Sequence, residues 1–150
     1  MWSTIKFGKH AGKTLPQVLL SDADWFYWAL EDNVFKGPLV NEAKKLADKA
    51  RWIRIPKPDP ENWRIEYIFM ADGKFAGFEI VNPNRPPHQG SMRSDHLDLS
   101  VVRQTKRYDK LGHKLLLKTF RYYFFGKENA SLTRKRCEEF FNNERNFLPE

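Results

Sequence analysis

The most specific chemical feature of the chain is a glycine-flanked pair of lysines, in the stretch Phe-Gly-Lys-His-Ala-Gly-Lys at residues 7–13. Glycine permits tight turns and close approach of a ligand, and free backbone N–H groups beside lysines suit a phosphate. Only three residues separate Gly8 from Gly12, whereas a Walker A loop needs four. We therefore predict no ATPase, and we expect Lys9, His10 and Lys13 to contact phosphate. The alternative is that the glycines serve only a tight hairpin.

A strongly basic segment is the second candidate. Residues 101–136 hold 11 Lys and Arg against two Asp and Glu, although the net charge of the whole chain is only +7. Three of these cations precede a predicted long helix, and four recur along one face of it. They are Arg103, Lys106 and Arg107, followed by Lys110, Lys114, Lys118 and Arg121. Such a stripe predicts contacts to nucleic-acid phosphates without sequence preference. The alternative is a solvated helix face.

Acidic and histidine side chains in the middle of the chain raise the question of catalysis. The candidates are Glu66, Glu79, Asp95 and Asp98, with His88 and His96 nearby. Such groups can hold the metal ion of a nuclease, but no spacing shows that three of them converge. We therefore predict no catalytic residue, no metal and no cofactor, and keep a metal-dependent nuclease as an alternative. The lone Cys137 cannot form an internal disulfide and is expected in the core.

Residues 5–30 resemble a known family. The shared positions are a Phe-Gly-Lys-His-x-Gly-Lys loop followed by an aromatic helix: Phe7, Gly8, Lys9, His10, Gly12, Lys13, Leu15, Trp25, Trp28 and Leu30. This pattern is similar to the C-terminal domain of exodeoxyribonuclease X-like enzymes and to short proteins labelled putative quorum-sensing-regulated virulence factors. The usual Leu-Pro-x-x-Tyr-Leu element is altered here. The resemblance implies a nucleic-acid-associated accessory module without the exonuclease's catalytic domain.

The elements that must position these residues indicate an α+β fold, with a module of residues 1–55 and a second part of residues 56–150. A strand at 4–7 is followed by three helices, of which the second carries Trp25, Phe26 and Trp28 as expected core residues. Prolines 56, 58 and 60 mark an extended connector. The two parts are expected to pack as separate domains or as one.

The second part is predicted to be a short antiparallel sheet with two C-terminal helices. Asp72-Gly73 indicates a hairpin between strands at 63–70 and 75–81. A long polar loop at 82–95 and a third strand at 97–102 follow. Asp109 is expected to cap a helix ending at Gly126, and Ser131 or Asn129 to cap the last helix. The tail from Asn143 is expected to be frayed.

The function that these patterns favour is a nucleic-acid-binding accessory protein of bacterial or phage DNA processing, with DNA a better candidate than RNA. A host or replication and repair protein is a further expected partner. The alternative is a phage or mobile-element protein that modulates a host protein. Its surplus of aromatic residues and its Pro-rich loop at 82–95 would then form the interface. The start of the sequence lacks the apolar run of a signal peptide, so we expect no membrane and a cytoplasmic location. The oligomeric state stays open.

Overall fold

The computed structural model describes residues 2–149 and has an α+β fold, as the sequence predicts. The helices are α1 (Leu15–Ser21), α2 (Ala23–Glu31), α3 (Pro38–Ala50), α4 (Ser100–Lys106), α5 (Gly112–Phe125) and α6 (Arg134–Asn142). The strands are β1 (Ile53–Arg54), β2 (Arg64–Phe69), β3 (Phe75–Val81), β4 (Ser91–Ser94) and β5 (His96–Leu97). No helix within residues 2–149 is both long and apolar enough to cross a bilayer.

The glycine loop is closed by a short backbone ribbon. Ile5 N donates to Lys13 O at 2.8 Å, and Gly12 N donates to Ile5 O at 2.7 Å. Gly8 and Gly12 have φ of +69° and +88°, which a residue with a side chain rarely adopts. The strand predicted at 4–7 is therefore reduced to a single bridge, between Thr4 and Thr14.

Two antiparallel sheets follow the proline connector. The larger has the order β3-β2-β4, and β1 pairs with β5 in the smaller. The predicted hairpin is confirmed, with Gly73 at φ +87° in the turn between β2 and β3. Tyr67 in the central strand lies opposite Phe78 on one side and Met92 on the other.

The region between residues 82 and 106 differs from the sequence prediction. Residues 91–94 of the loop predicted at 82–95 form β4, because they pair with the otherwise open edge of β2. The strand predicted at 97–102 is wrong beyond Leu97. The Asp98 carboxylate accepts from Ser100 N at 2.9 Å and from Ser100 Oγ at 2.7 Å, and α4 begins there. These bonds satisfy a helix start and stop the strand.

The C-terminal end is ordered by packing. Thr133, not Ser131 or Asn129, caps α6, since its hydroxyl accepts from Arg136 N at 3.1 Å. The tail is not frayed: Phe147 is 5% exposed and stacks on Phe141 with ring centroids 5.8 Å apart. A bridge from Phe147 to Ile53 ties this tail to β1.

One hydrophobic core extends across the proline connector. The cluster of buried side chains runs from Ile5 to Phe147 and includes residues of both predicted parts. Helix α6 packs on α1, and α4 packs on α2 and α5. Residues 1–55 and 56–150 thus share a core within the described chain, and the packing of α2 on α4 forms the site described next.

Candidate nucleic-acid interface

A groove of about 710 Å³ lies between the glycine loop, α2 and the α4–α5 region. Its lining is mainly basic, with two carboxylates and two tryptophans. The residues are Lys9, Asp22, Asp24, Trp25, Trp28, Arg103, Lys106, Lys110, His113 and Lys114. Five of the ten residues predicted from sequence to bind nucleic acid therefore line one concave surface, although they come from distant parts of the chain.

Asp24 joins the two walls of the groove. Lys106 Nζ donates to Asp24 Oδ2 at 2.6 Å, and Arg103 Nη1 donates to Asp24 Oδ1 at 2.8 Å. Burial alone would raise the pKa of Asp24, which is 8% exposed, but these two hydrogen bonds outweigh it and lower the pKa. Arg103 also pairs with Glu31 at 3.1 Å. Both cations are thus held in place by acids on α2.

Asp22 holds the glycine loop against α2. It occupies the N-cap position of α2 without a side-chain capping bond. Its Oδ2 lies 3.0 Å from both Lys9 Nζ and His10 Nε2. Burial would raise the pKa of Asp22, but hydrogen bonds from Lys9 and His10 lower it. Asp22 thus lies at the cap position of α2, but its carboxylate holds the loop instead of the helix start.

Two cations of the groove, Lys110 and Lys114, have no ion-pair partner within residues 2–149. Both are exposed, and neither has a carboxylate of that range within ion-pair distance. Their position is set by Asp109, whose Oδ1 accepts from Gly112 N at 2.7 Å and so fixes the start of α5. The Asp109 Oδ2 accepts from Phe75 N at 3.1 Å, which anchors the same turn to β3.

The other five predicted binding residues lie outside the groove lining. Lys13, Arg107 and Lys118 are exposed on the surface. His10 is 7% exposed and packs edge-on against Trp25, with ring centroids 4.8 Å apart, so its side chain supports the loop. Arg121 is half-buried, and burial lowers its pKa; its Nε has no hydrogen-bond partner within residues 2–149.

Five groove residues were not predicted as site residues from the sequence: Asp22, Asp24, Trp25, Trp28 and His113. Trp28 was expected in the core but is 38% exposed, and Asp24 and His113 were not singled out. A signal for Trp28 exists, because Asp24, Trp28 and Glu31 follow the i, i+4, i+7 spacing of one helix face. A face with two acids is unsuited to a core. Phe26 is fully buried, as predicted.

The acidic candidates Glu66, Glu79 and His88 do converge, on the sheet away from the groove. One ligand atom from each lies within 4.8 Å of the others. Arginines already partner both acids: Arg93 Nε donates to Glu66 Oε1 at 2.5 Å, and Arg85 pairs with Glu79 at 3.0 Å. Glu66 is fully buried, and burial raises its pKa, but hydrogen bonds from His88 and Arg93 lower it to about 2.

This arrangement is a satisfied ion-pair network. Glu66 and Glu79 lie directly opposite each other in the β2–β3 pair, and two like charges so placed repel each other. The arginines and His88 offset that repulsion. Asp95 pairs instead with His96 at 2.7 Å, and Asp98 accepts hydrogen bonds from Ser100 at the start of α4, so neither joins the cluster.

A scan against protein-family models and searches of the curated proteins and of the solved structures gave no match to this chain. The resemblance of residues 5–30 to the exodeoxyribonuclease X-like family therefore stays a prediction.

Proposed function

We propose that the protein binds nucleic acid in the groove between the glycine loop, α2 and the α4–α5 region, as a non-enzymatic accessory protein. The observation that supports this most directly is convergence: five basic side chains from two distant segments line one concave surface with two carboxylates. A polyanion that follows the groove meets several cations at once. Phosphate contacts of this kind supply affinity without sequence preference.

The groove cations have two different roles in this proposal. Lys110 and Lys114 have no acidic partner in the described part of the chain, and they contact phosphate directly. Arg103 and Lys106 are paired with Asp24, so they contribute positive electrostatic potential to the groove rather than free hydrogen-bond donors. Lys9 is 62% exposed at its side chain and reaches from the loop while paired to Asp22. Lys13, Arg107 and Lys118 extend the basic surface beyond the groove.

The proposed biological setting is supported by the resemblance of the N-terminal loop. An accessory module of bacterial or phage DNA processing would act on DNA rather than RNA, beside a replication or repair protein, in the cytoplasm. The net charge of +7 favours any polyanion and does not choose between nucleic acids.

The test is fluorescence anisotropy with labelled DNA across a salt series, with and without Mg²⁺. We expect binding at low salt that weakens steeply, by about 0.7 to 0.9 in log–log slope for each neutralised phosphate. No binding at about 50 mM salt would refute the proposal. Cleavage of the DNA in Mg²⁺ or Mn²⁺ would instead favour a metal-dependent nuclease, with Glu66, Glu79 and His88 as the candidate metal ligands.

A protein partner is the second candidate, favoured by an apolar cleft of about 190 Å³ beside β4. Met92 and Tyr108 line it and are 49% and 62% exposed. Partner-binding surfaces are enriched in such side chains. A complex with a host protein that resists salt, together with no retention of DNA, would support this candidate over the first.

A further inference from the structure

Two tryptophans share the groove with the cations. Trp25 is partly buried and packs against His10 and Phe35, with ring centroids 4.8 Å and 5.8 Å away. Trp28 is 38% exposed, and its ring lies 6.2 Å from Trp25. Within residues 2–149, Trp25 is the one aromatic neighbour recorded for Trp28. A fixed ring thus supports a second ring whose surface is open to the groove.

The combination of an open ring and free cations distinguishes between forms of nucleic acid. A duplex keeps the faces of its bases stacked inside and offers a concave protein surface mainly phosphates. A single strand offers both phosphates and unstacked bases, and base faces stack on aromatic side chains regardless of sequence. Trp28, Lys110 and Lys114 line the same groove and provide partners for both parts of a single strand.

His113 is a third feature of the groove that suits a base. It lines the groove while only 7% exposed, and no hydrogen bond to its ring is found in the described part of the chain. Burial lowers the pKa of His113, so the imidazole is neutral at pH 7 and can both donate and accept. The charged and acidic groups around it are Asp22, Asp24, Lys106 and Lys114. A recessed neutral donor and acceptor matches a base edge better than a phosphate.

We propose that the groove binds single-stranded nucleic acid, with one base stacked on Trp28 and the adjoining phosphates on Lys110 and Lys114. This inference rests on the proposed function, since it requires that the groove bind nucleic acid. It adds a form of nucleic acid and a stacking residue. Discrimination against duplex comes from Trp28, while the lysines contribute to both forms.

The experiment compares Trp28→Ala with the unchanged protein on labelled oligo-dT and on a blunt duplex of equal length. Stacking of one base contributes about 5- to 150-fold in affinity. We expect Trp28→Ala to weaken single-strand binding by that factor, to leave duplex binding within twofold, and to leave the salt slope unchanged. Trp28→Phe should keep most of the affinity, because phenylalanine also stacks.

Trp52→Ala is the matched control. Trp52 is 43% exposed but lies outside the groove lining and stacks on His96, with ring centroids 4.4 Å apart. Its removal should change neither affinity by more than twofold. Melting temperatures of all three variants show whether each remains folded. If Trp28→Ala does not fold, tryptophan fluorescence is the readout: stacking predicts quenching on binding of oligo-dT that is reduced in Trp28→Phe.

The outcomes separate the two proposals. Unchanged single-strand affinity in Trp28→Ala overturns stacking while groove binding survives. If only Trp28→Phe folds, equal quenching of tryptophan fluorescence by oligo-dT in that variant and in the unchanged protein overturns stacking instead. Equal affinity of the unchanged protein for both oligonucleotides also overturns it. Absence of binding to both at low salt overturns the proposed function, and this inference with it.

Discussion

Replacing both unpaired groove lysines, Lys110→Gln and Lys114→Gln, is the sharpest test of where nucleic acid binds. These two side chains have no carboxylate to release within residues 2–149, so their full charge is available to phosphate. Within residues 2–149, neither takes part in an ion pair that supports the fold. The change therefore alters binding without the loss of stability that removal of Arg103 or Lys106 would cause by leaving the buried Asp24 with one of its two partners missing.

The expected size follows from counterion release. Each phosphate contact to a single strand contributes about 0.7 to the slope of log affinity against log salt. Losing two contacts reduces the slope by about 1.4. Between about 50 and 200 mM salt, the affinity difference between variant and unchanged protein then narrows by about sevenfold. On duplex the reduction is about 1.8, since each contact contributes about 0.9.

The assay is fluorescence anisotropy at four or more salt concentrations, with Lys44→Gln/Lys45→Gln as the control. Lys44 and Lys45 are exposed on α3, carry the same charge and lie outside the groove. A control that lowers the slope as much as the groove variant would mean that only net charge matters. An equal loss for Lys118→Gln and Lys114→Gln would mean that the whole exposed face of α5 binds, and the groove reasoning would be refuted.

The remaining predictions concern the fold. Glu66→Gln breaks a buried ion pair and should cost about 3 kcal/mol of stability, measured by urea unfolding. EDTA should change the stability of neither the variant nor the unchanged protein. Destabilisation of the unchanged protein by EDTA would indicate a bound metal. Because the pKa of Glu66 is lowered from 4.5 to about 2, its ionised carboxylate stabilises the fold fully above pH 4.5, and this contribution is lost as the pH falls towards 2. The melting temperatures of Glu66→Gln and of the unchanged protein should therefore converge in acid. Gly112→Ala places a methyl group against the Asp109 carboxylate and should cost about 1–3 kcal/mol, whereas Gly77→Ala, with its nearest neighbour at 3.4 Å, should be tolerated; equal melting temperatures of these two variants would contradict the close packing at α5.

Sequence reasoning correctly predicted the turns and helix ends that depend only on residues close together in the chain. The hairpin at Asp72-Gly73 requires only a residue that accepts positive φ, and the end of α5 at Gly126, with φ +81°, requires the same. The strand β4 and the order of the C-terminal residues were not predicted, and the reason is the same for both. Ser91–Ser94 becomes a strand by pairing with β2, and Phe147 is ordered by packing on Phe141. Contacts between distant segments leave no periodic pattern in either stretch.

The candidate site also combines features that are local in the sequence with features that depend on contacts between distant segments. The lysines were found because charge density is a local property of residues 101–136. That they divide into groove residues and outlying residues depends on the packing of α2 against α4, which no single segment encodes. Trp28 and Asp24 belong to the site through that packing alone. A charge count therefore predicts affinity for a polyanion but does not identify the concave surface.

The ion pairs that build the groove also limit how tightly it can bind. Asp24 holds Arg103 and Lys106 in fixed positions, so little side-chain entropy is lost when a phosphate arrives. The same carboxylate offsets part of their charge, and a phosphate must share these cations with an acid that is only 8% exposed. In the proposed complex, binding is governed by the few free lysines and by stacking, and so is reversible and sensitive to salt. Those properties suit the proposed role of an accessory protein, which must release its strand to an enzyme.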